Sequence, residues 1–309
     1  MSSPTAEVDR DADDPTTAAG QIRGRPLGER VLALSALATL AVATTTGLHV
    51  LYNVPVDPAN VSADLLSAVG MGAAILVALA LVAIALASTR SGVRIGFLFA
   101  GVFGMLATLS NAAAVPAVVA ITGGAAVVLG PGLGKPSTYD EFRRRALGIA
   151  FLAAVGLSLA STTGVLDAGV RGTGSALFLV ALTLLVVRTG SDPVALVAGL
   201  AGLAAVLAVS TSAPFVTGSA LLIAFGVVGG PHLLAATAVF GGVAATVAGL
   251  RDSDYALVVG ATLLLVAGVP ASPAAAMAVC LGATLACADL ESLLGKADQR
   301  ATVSGVSDQ

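Results

Sequence analysis

The sequence predicts an all-α fold, a polytopic transmembrane helical bundle of about eleven spans, with roughly ten to twelve allowed by the chain length. Of the 309 residues, 57% are hydrophobic and 11% are charged, and the mean hydropathy is +0.97. Soluble domains average roughly 45–50% apolar and about 25% charged residues. The charged residues fall between or at the ends of segments that are apolar on all sides, which favours membrane helices over strands of alternating polarity.

Asparagine, glycine and proline mark the breaks in the N-terminal half. Asn53 follows the first span, Ser110 and Asn111 follow the third, and Gly130 and Pro131 follow the fourth. Proline at the first turn of a helix loses no hydrogen bond, so most prolines here delimit spans and do not kink them. The spans predicted in this half are residues 31–51, 65–88, 95–110, 113–130 and 146–163.

The C-terminal half is divided by proline in the same way. Pro193, Pro214 and Pro231 each open or precede a predicted span, and Pro270 and Pro273 separate the last two. Several of these segments have fewer than about 17 residues, so a re-entrant segment, and hence ten spans, competes with eleven. The spans predicted in this half are residues 170–187, 193–210, 214–229, 232–250, 255–269 and 273–288.

The basic residues predict a multi-pass protein of the cell membrane with a cytoplasmic N-terminus, because cytoplasmic loops retain Arg and Lys near the span ends. The loop at residues 52–64, on the other side, carries Asp57 and Asp64 and no base. Eleven spans place Lys296 and Arg300 outside the cell, whereas ten spans return them to the cytoplasm. The basic residues that fall on the cytoplasmic side are Arg23, Arg25, Arg30, Arg90, Arg94, Lys135, Arg143, Arg144, Arg145 and Arg188.

Polar segments flank the transmembrane domain, which is predicted at residues 31–289. Residues 1–30 are rich in Asp, Ser, Thr and Ala and have too little apolar surface to fold, so they predict a disordered acidic cytoplasmic tail. Residues 290–309 predict a flexible polar C-terminal tail. A cleaved secretory signal is the alternative at the N-terminus, since residues 41–43 resemble a cleavage site. The apolar run continues to Leu51, which favours a retained helix.

A stripe of small residues runs along the third span. Gly92, Gly96, Ala100 and Gly104 recur every four residues, so they share one helix face and allow another helix to approach closely. This packing stripe serves either a helix of the same bundle or a helix of another protein. The expected partners are the lipid bilayer, other membrane subunits and further copies of the chain, and no nucleic acid is expected.

Hydroxyl and amide side chains form a candidate polar path. Most of them lie toward the outer ends of their spans, where they would line an outward-facing vestibule. The alternative is that these hydroxyls bond to helix carbonyls or cap the next helix. The residues of this path are Thr44, Thr45, Thr46, Asn111, Ser161, Thr162 and Thr163.

Arg143, Arg144 and Arg145 form a compact basic stretch, predicted to be a loop beside the membrane. A basic residue near an anionic membrane surface contributes about 1 kcal/mol of attraction, so the stretch predicts contact with anionic lipid head groups. Retention of the loop on the cytoplasmic side explains the same residues equally well.

A five-residue motif occurs twice, at residues 173–177 and 217–221, with the sequence Thr-Gly-Ser-Ala-Leu. A helical hairpin is about as long as the interval between the two copies. Residues 173–210 and 217–250 are therefore candidates for duplicated hairpins with the same membrane orientation. A chance match is the alternative in a chain so rich in Ala, Leu and Gly.

No catalytic, metal or cofactor site is predicted. His49 and His232 are the only histidines, and neither has an acid or cysteine at metal-ligand spacing. Residues 130–137 resemble a phosphate-binding loop but lack its first glycine and its final hydroxyl residue. Cys280 and Cys287 lie roughly 10 Å apart along one helix, which is too far for a disulfide. We therefore expect a protein that is not an enzyme.

The composition resembles that of uncharacterised multi-pass integral membrane proteins of haloarchaea. Only two of the 15 basic residues are Lys, the N-terminal stretch is acidic, and Ala, Val, Gly and Leu dominate. No ionisable residue lies securely within a span, and such residues usually mark ion or proton paths. The sequence therefore favours a non-catalytic component or scaffold of a membrane assembly. The alternative is a transporter or permease for a small solute without obvious proton-coupling residues.

Overall fold

The protein is built from helices throughout the part of the chain that the computed structural model describes, which is residues 26–53, 62–110, 113–129, 138–167, 169–190, 192–212 and 232–288. No β-strand occurs in these ranges. α6 continues into a short 3-10 segment, Leu185–Thr189. The helices are α1 (Pro26–Asn53), α2 (Ala63–Ala87), α3 (Ser91–Leu109), α4 (Ala114–Leu129), α5 (Tyr139–Thr162), α6 (Gly169–Leu184), α7 (Pro193–Ser212), α8 (His232–Arg251), α9 (Tyr255–Ala267) and α10 (Pro273–Cys287).

The predicted class, a helical membrane protein, agrees with the length and composition of these helices. Among the described residues, α1, α2, α3, α5, α8 and the combined α6 and 3-10 segment are long and apolar enough to cross a membrane. The shorter apolar helices are α4, α7, α9 and α10. Each of these helices coincides with a predicted span, but a total of about eleven spans is not confirmed, because the segment predicted at 214–229 lies outside the described residues.

Two helices begin five or more residues earlier than predicted. α1 begins at Pro26, inside the stretch predicted as a tail, because proline suits a first helical turn and Glu29 interacts favourably with the helix dipole. It continues without a break through residues 41–43 and packs against α2 and α9. α5 begins at Tyr139 because the Thr138 hydroxyl accepts a hydrogen bond from the Glu141 N–H at 3.3 Å. Residues 1–25 and 289–309, which hold the remaining tail predictions, lie outside the described residues.

α10 is the central helix of the bundle. It packs against α2, α3, α4, α5 and α9, and every residue from Ala276 to Cys287 is buried. Its side chains are mostly small and almost all apolar, on every side of the helix, which is typical of a helix surrounded by other helices. Cys280 and Cys287 are not joined by a disulfide, and both are buried.

Helices that follow one another along the chain are antiparallel and give the bundle two ends. We call the end at which α1, α3, α5 and α7 begin the arginine face, and the other end the opposite face. A Cβ on Gly101 of α3 would lie 3.0 Å from the Ala78 carbonyl oxygen of α2, which shows how closely such pairs approach. Small residues at these crossings allow that approach.

α7 and α8 are also antiparallel to each other. Gly199 lies against Phe240 and Ala244, whereas Gly202, one turn later, lies against Val239 and Val243. Arg251, at the end of α8, forms a 3.1 Å ion pair with Asp192, which directly precedes α7. The end of α8 is therefore on the arginine face, and Ser212 and His232 both lie toward the opposite face.

These directions contradict duplicated hairpins of the same orientation. In that hypothesis residues 193–210 correspond to residues 237–254, so α7 and α8 would have to run in the same direction through the membrane. They run in opposite directions. The second copy of the five-residue motif, at 217–221, lies outside the described residues.

Candidate functional site

The backbones of α3 and α4 touch where the two helices cross. A Cβ on Gly96 would lie 2.7 Å from the carbonyl oxygen of Gly124, and a Cβ on Gly124 would collide with the carbonyl of Gly96. No side chain of any size fits between these two positions. This backbone contact leaves no space between α3 and α4 at their crossing, so any depression formed by the two helices ends there.

The predicted packing stripe is largely inside the bundle. Gly96, Ala100 and Gly104 are buried, while Gly92 is exposed near the start of α3. A Cβ on Gly92 would lie 3.3 Å from Val127, and one on Gly104 would overlap the thioether of Met277 in α10. The stripe therefore contacts helices of the same chain and leaves no continuous small-residue face for another protein.

An apolar groove lies outside the Gly96–Gly124 contact, and we call it the α3–α4 groove. Its volume is about 560 Å³. The rings of Phe99 and Phe103 stack along one wall with their centroids 5.6 Å apart. Other residues that line the groove are Ile95, Val119, Gly123 and Val127. Sequence patterns did not reveal this groove, although two phenylalanines four residues apart in an apolar helix are a signal for it.

Thr45 and Thr46 line a cavity of about 320 Å³ between α1, α2 and α10, which we call the outer cavity. The Thr46 hydroxyl donates a 2.7 Å hydrogen bond to the carbonyl of Val266 in α9, whereas the Thr45 hydroxyl donates to Ala41 within α1. In a continuous helix the Val266 carbonyl would accept from residue 270, but Pro270 has no N–H. Thr46 thus satisfies a carbonyl that the end of α9 leaves without a backbone donor.

His49 also lines the outer cavity, which the sequence did not predict. Its Nδ1 lies 3.1 Å from the carbonyl oxygen of Thr45. A carbonyl can only accept, so in the neutral ring Nδ1 carries the hydrogen and Nε2 carries the lone pair. The cavity therefore combines one imidazole with the hydroxyls of Thr45, Thr46 and Ser272 among mostly alanine and valine.

The structure does not bring the two threonine-rich groups of the predicted polar path together. Thr44 is exposed and bonds to Leu40 within α1, while Thr162 and Thr163 bond to Leu159 within α5. The Ser161 hydroxyl donates to the carbonyl of Asp167 in the following loop. α1 packs against α2 and α9, whereas α5 packs against α4, α6 and α10. Asn111 lies outside the described residues.

The three consecutive arginines lie on a helix and not in a loop. Arg143 pairs with Asp140 at 3.5 Å and lies over the Tyr139 ring, while Arg145 pairs with Glu141. These carboxylates belong to the first turn of α5, so the capped start of the helix supplies the counter-charges. Such pairs contribute about 0.2–0.5 kcal/mol each. Arg144 has no carboxylate partner within the described ranges.

The interior of the described part is apolar. Its buried polar residues are all Ser or Thr, and no charged residue is among them. The hydroxyls of Ser35, Thr39 and Thr284 each donate to a carbonyl one turn earlier, at 2.7–2.8 Å. Within the same ranges no three His, Cys, Asp or Glu side chains cluster as metal ligands would. Residues 130–137, which resemble a phosphate-binding loop, lie outside the described residues.

These features define a multi-pass helical membrane protein whose helices associate through small residues. The sequence profile of an integral membrane family of unknown function (DUF8068) matches residues 30–287, and the chain belongs to this family. No curated protein and no solved structure matches the chain.

Proposed function

We propose that this protein is a non-catalytic component or scaffold of a membrane assembly. The sealed interior is the observation that supports this proposal. The outer cavity extends inward only as far as Val42, Val77 and Ala278, and Val77 and Ala278 belong to the buried core. Beyond that depth the described interior offers apolar side chains and isolated hydroxyls, most of them bonded to a carbonyl of their own helix and one, that of Ser158, without a hydrogen-bond partner in the described residues. Such an interior holds helices in place and gives a polar solute no continuous route.

We also infer about ten crossings of the cell membrane, with both ends of the transmembrane domain in the cytoplasm. The Arg251–Asp192 ion pair supports this number, because it requires α8 to end on the same face from which α7 begins. The arginines support the orientation, since cytoplasmic faces retain them. Arg171 is near the opposite face, whereas the arginine face has Arg30, Arg90, Arg94, Arg143, Arg144, Arg145, Arg188 and Arg251.

This topology replaces the eleven-span arrangement, in which Lys296 and Arg300 would be outside the cell. It places both residues, and Arg251 as well, in the cytoplasm. A haloarchaeal origin is part of the same proposal and is supported by the arginine-rich, acidic composition alone.

The test of the assembly role is gentle purification of the tagged protein from its native membrane, followed by quantitative mass spectrometry. We expect a partner at constant stoichiometry in two unrelated detergents. An unrelated tagged multi-pass protein from the same membrane is the control for non-specific capture. A protein that purifies alone under both conditions would contradict the assembly role.

A carrier for a small solute is the competing hypothesis, and it requires a second conformation in which the outer cavity opens toward the arginine face. Reconstitution of the purified protein into liposomes tests it. Solute flux that depends on the protein, and that falls when Ala278→Leu fills the inner end of the cavity, would favour the carrier over the scaffold.

A further inference from the structure

A second cavity lies beside the α3–α4 groove. It has a volume of about 310 Å³, lies between α2 and α3, and is lined by Leu86, Ser91, Arg94 and Leu98. Ile95 lines both this cavity and the α3–α4 groove. The two spaces therefore flank the outward side of α3, and they meet near the arginine face.

Arg94 is exposed, has no carboxylate partner among the described residues and, unlike the other exposed arginines of this face, lines one of these two spaces. Arg143, Arg145, Arg188 and Arg251 each pair with an Asp or Glu. Arg90, one turn before Arg94, is likewise exposed and without an acidic partner in the described ranges. Arg94 therefore presents a positive charge, unpaired within the described ranges, where the second cavity meets the groove at Ile95.

We propose that this surface binds one anionic phospholipid of the leaflet on the arginine face. The lipid phosphate lies at Arg94, one acyl chain follows the α3–α4 groove past Phe99 and Phe103, and the second follows Leu98. Charge complementarity at Arg94 and a forked apolar surface on either side of Ile95 carry this assignment. This binding site requires only that α3 and α4 face lipid and does not depend on the scaffold role.

A phospholipid fits these features better than a helix of another protein. It has two apolar chains joined at one charged end, which matches two apolar spaces that converge beside an arginine. An apolar helix would fill the groove but would leave Arg94 without a counter-charge. The groove runs roughly 12 Å from Ile95 to Phe103 along α3, which is part of one leaflet of a bilayer about 30 Å thick.

Native mass spectrometry of the purified full-length protein tests the proposal. Phosphatidylglycerol and phosphatidylcholine with identical chains are the two probes. We expect one tightly held phosphatidylglycerol, with a Kd about fivefold below that of phosphatidylcholine, because one basic residue near the surface contributes about this much. Arg94→Gln should abolish the preference, whereas Arg171→Gln, at the opposite face, should preserve it.

Gly123→Leu tests the groove. A Cβ at Gly123 meets no atom within 4 Å, so a side chain there fills the groove without disturbing the contact between α3 and α4. We expect Gly123→Leu to weaken the binding of both lipids about tenfold. Gly47→Leu is the matched control, because Gly47 is also exposed on a helix with no atom near its Cβ position.

Three results would overturn the proposal. One is equal affinity of the wild-type protein for the two lipids, and another is equal lipid retention by Gly123→Leu and Gly47→Leu. The third is a dimer that Gly123→Leu converts to a monomer, which would assign the groove to a second copy of the chain.

Discussion

At the scale of single residues, hydroxyl side chains in this bundle have two different uses. Thr44 donates to its own helix at an exposed position, whereas Thr46 reaches across to α9 and satisfies the Val266 carbonyl. The sequence identified both threonines as polar groups of one path. It could not distinguish them, because the partner of Thr46 is more than 200 residues away in the chain. Pro270, four residues after Val266, is the local signal that this carbonyl needs another donor.

Thr46→Val should destabilise the protein by about 1 kcal/mol, because the isosteric side chain removes the hydroxyl donor of the Val266 carbonyl. Thr44→Val should have a smaller effect, since its backbone acceptor already has a helix partner. Thermal unfolding in one detergent compares the two variants. Equal melting temperatures would show that the bond between α1 and α9 is not important for stability.

Gly123 and Gly124 are adjacent in α4 but have different surroundings. Gly124→Ala should destabilise the protein by about 1–3 kcal/mol, because its Cβ would force α3 and α4 apart at a backbone contact. Gly123→Ala should be close to neutral, since its Cβ points into the open groove. Thermal unfolding and resistance to protease measure both. Similar behaviour of the two variants would mean that the helices do not touch at Gly124.

At the scale of helices, hydropathy and proline positions predicted where the described helices lie, because a membrane helix must be long and apolar. The same signals did not predict that α10 is central or that α8 ends beside the start of α7. Helices that are apolar on every side carry no periodic pattern to indicate their neighbours. The small residues of α10 are a usable signal, since only small side chains allow so many helices to approach one another.

The loop before α9 contains one residue with two roles. The Asp254 carboxylate caps α9 by accepting from the Leu257 N–H at 3.0 Å, and it lies 3.8 Å from Arg188. Asp254→Ala should cost about 1 kcal/mol, mostly from the lost cap. Asp254→Ser keeps a capping oxygen without the charge, so it should recover most of that loss. If Asp254→Ser unfolds at the same temperature as Asp254→Ala, the ion pair is the more important interaction.

At the scale of the whole molecule, the number of membrane crossings decides on which side of the membrane the loop after α8 lies. With about ten crossings, residue 252 is cytoplasmic and residue 64 is outside. In a background without Cys280 and Cys287, an impermeant thiol reagent applied to intact cells should label Asp64→Cys and not Asp252→Cys. Both should react after the cells are permeabilised, which is the control for accessibility. Labelling of Asp252→Cys in intact cells would place residue 252 outside, so the chain would have to cross the membrane an odd number of times before that residue.

The outer cavity also affects how the voltage across the membrane is distributed. It extends inward to Ala278, so water that enters it leaves only residues 278–287 of α10 as insulation, roughly 14 Å of helix. An ordinary span separates the two aqueous phases by about 30 Å of hydrocarbon. With water in the cavity, the electric field along these ten residues of α10 is about twice that across the surrounding bilayer. The central helix is the electrical insulator of the protein, and its lack of charged residues is what that position requires.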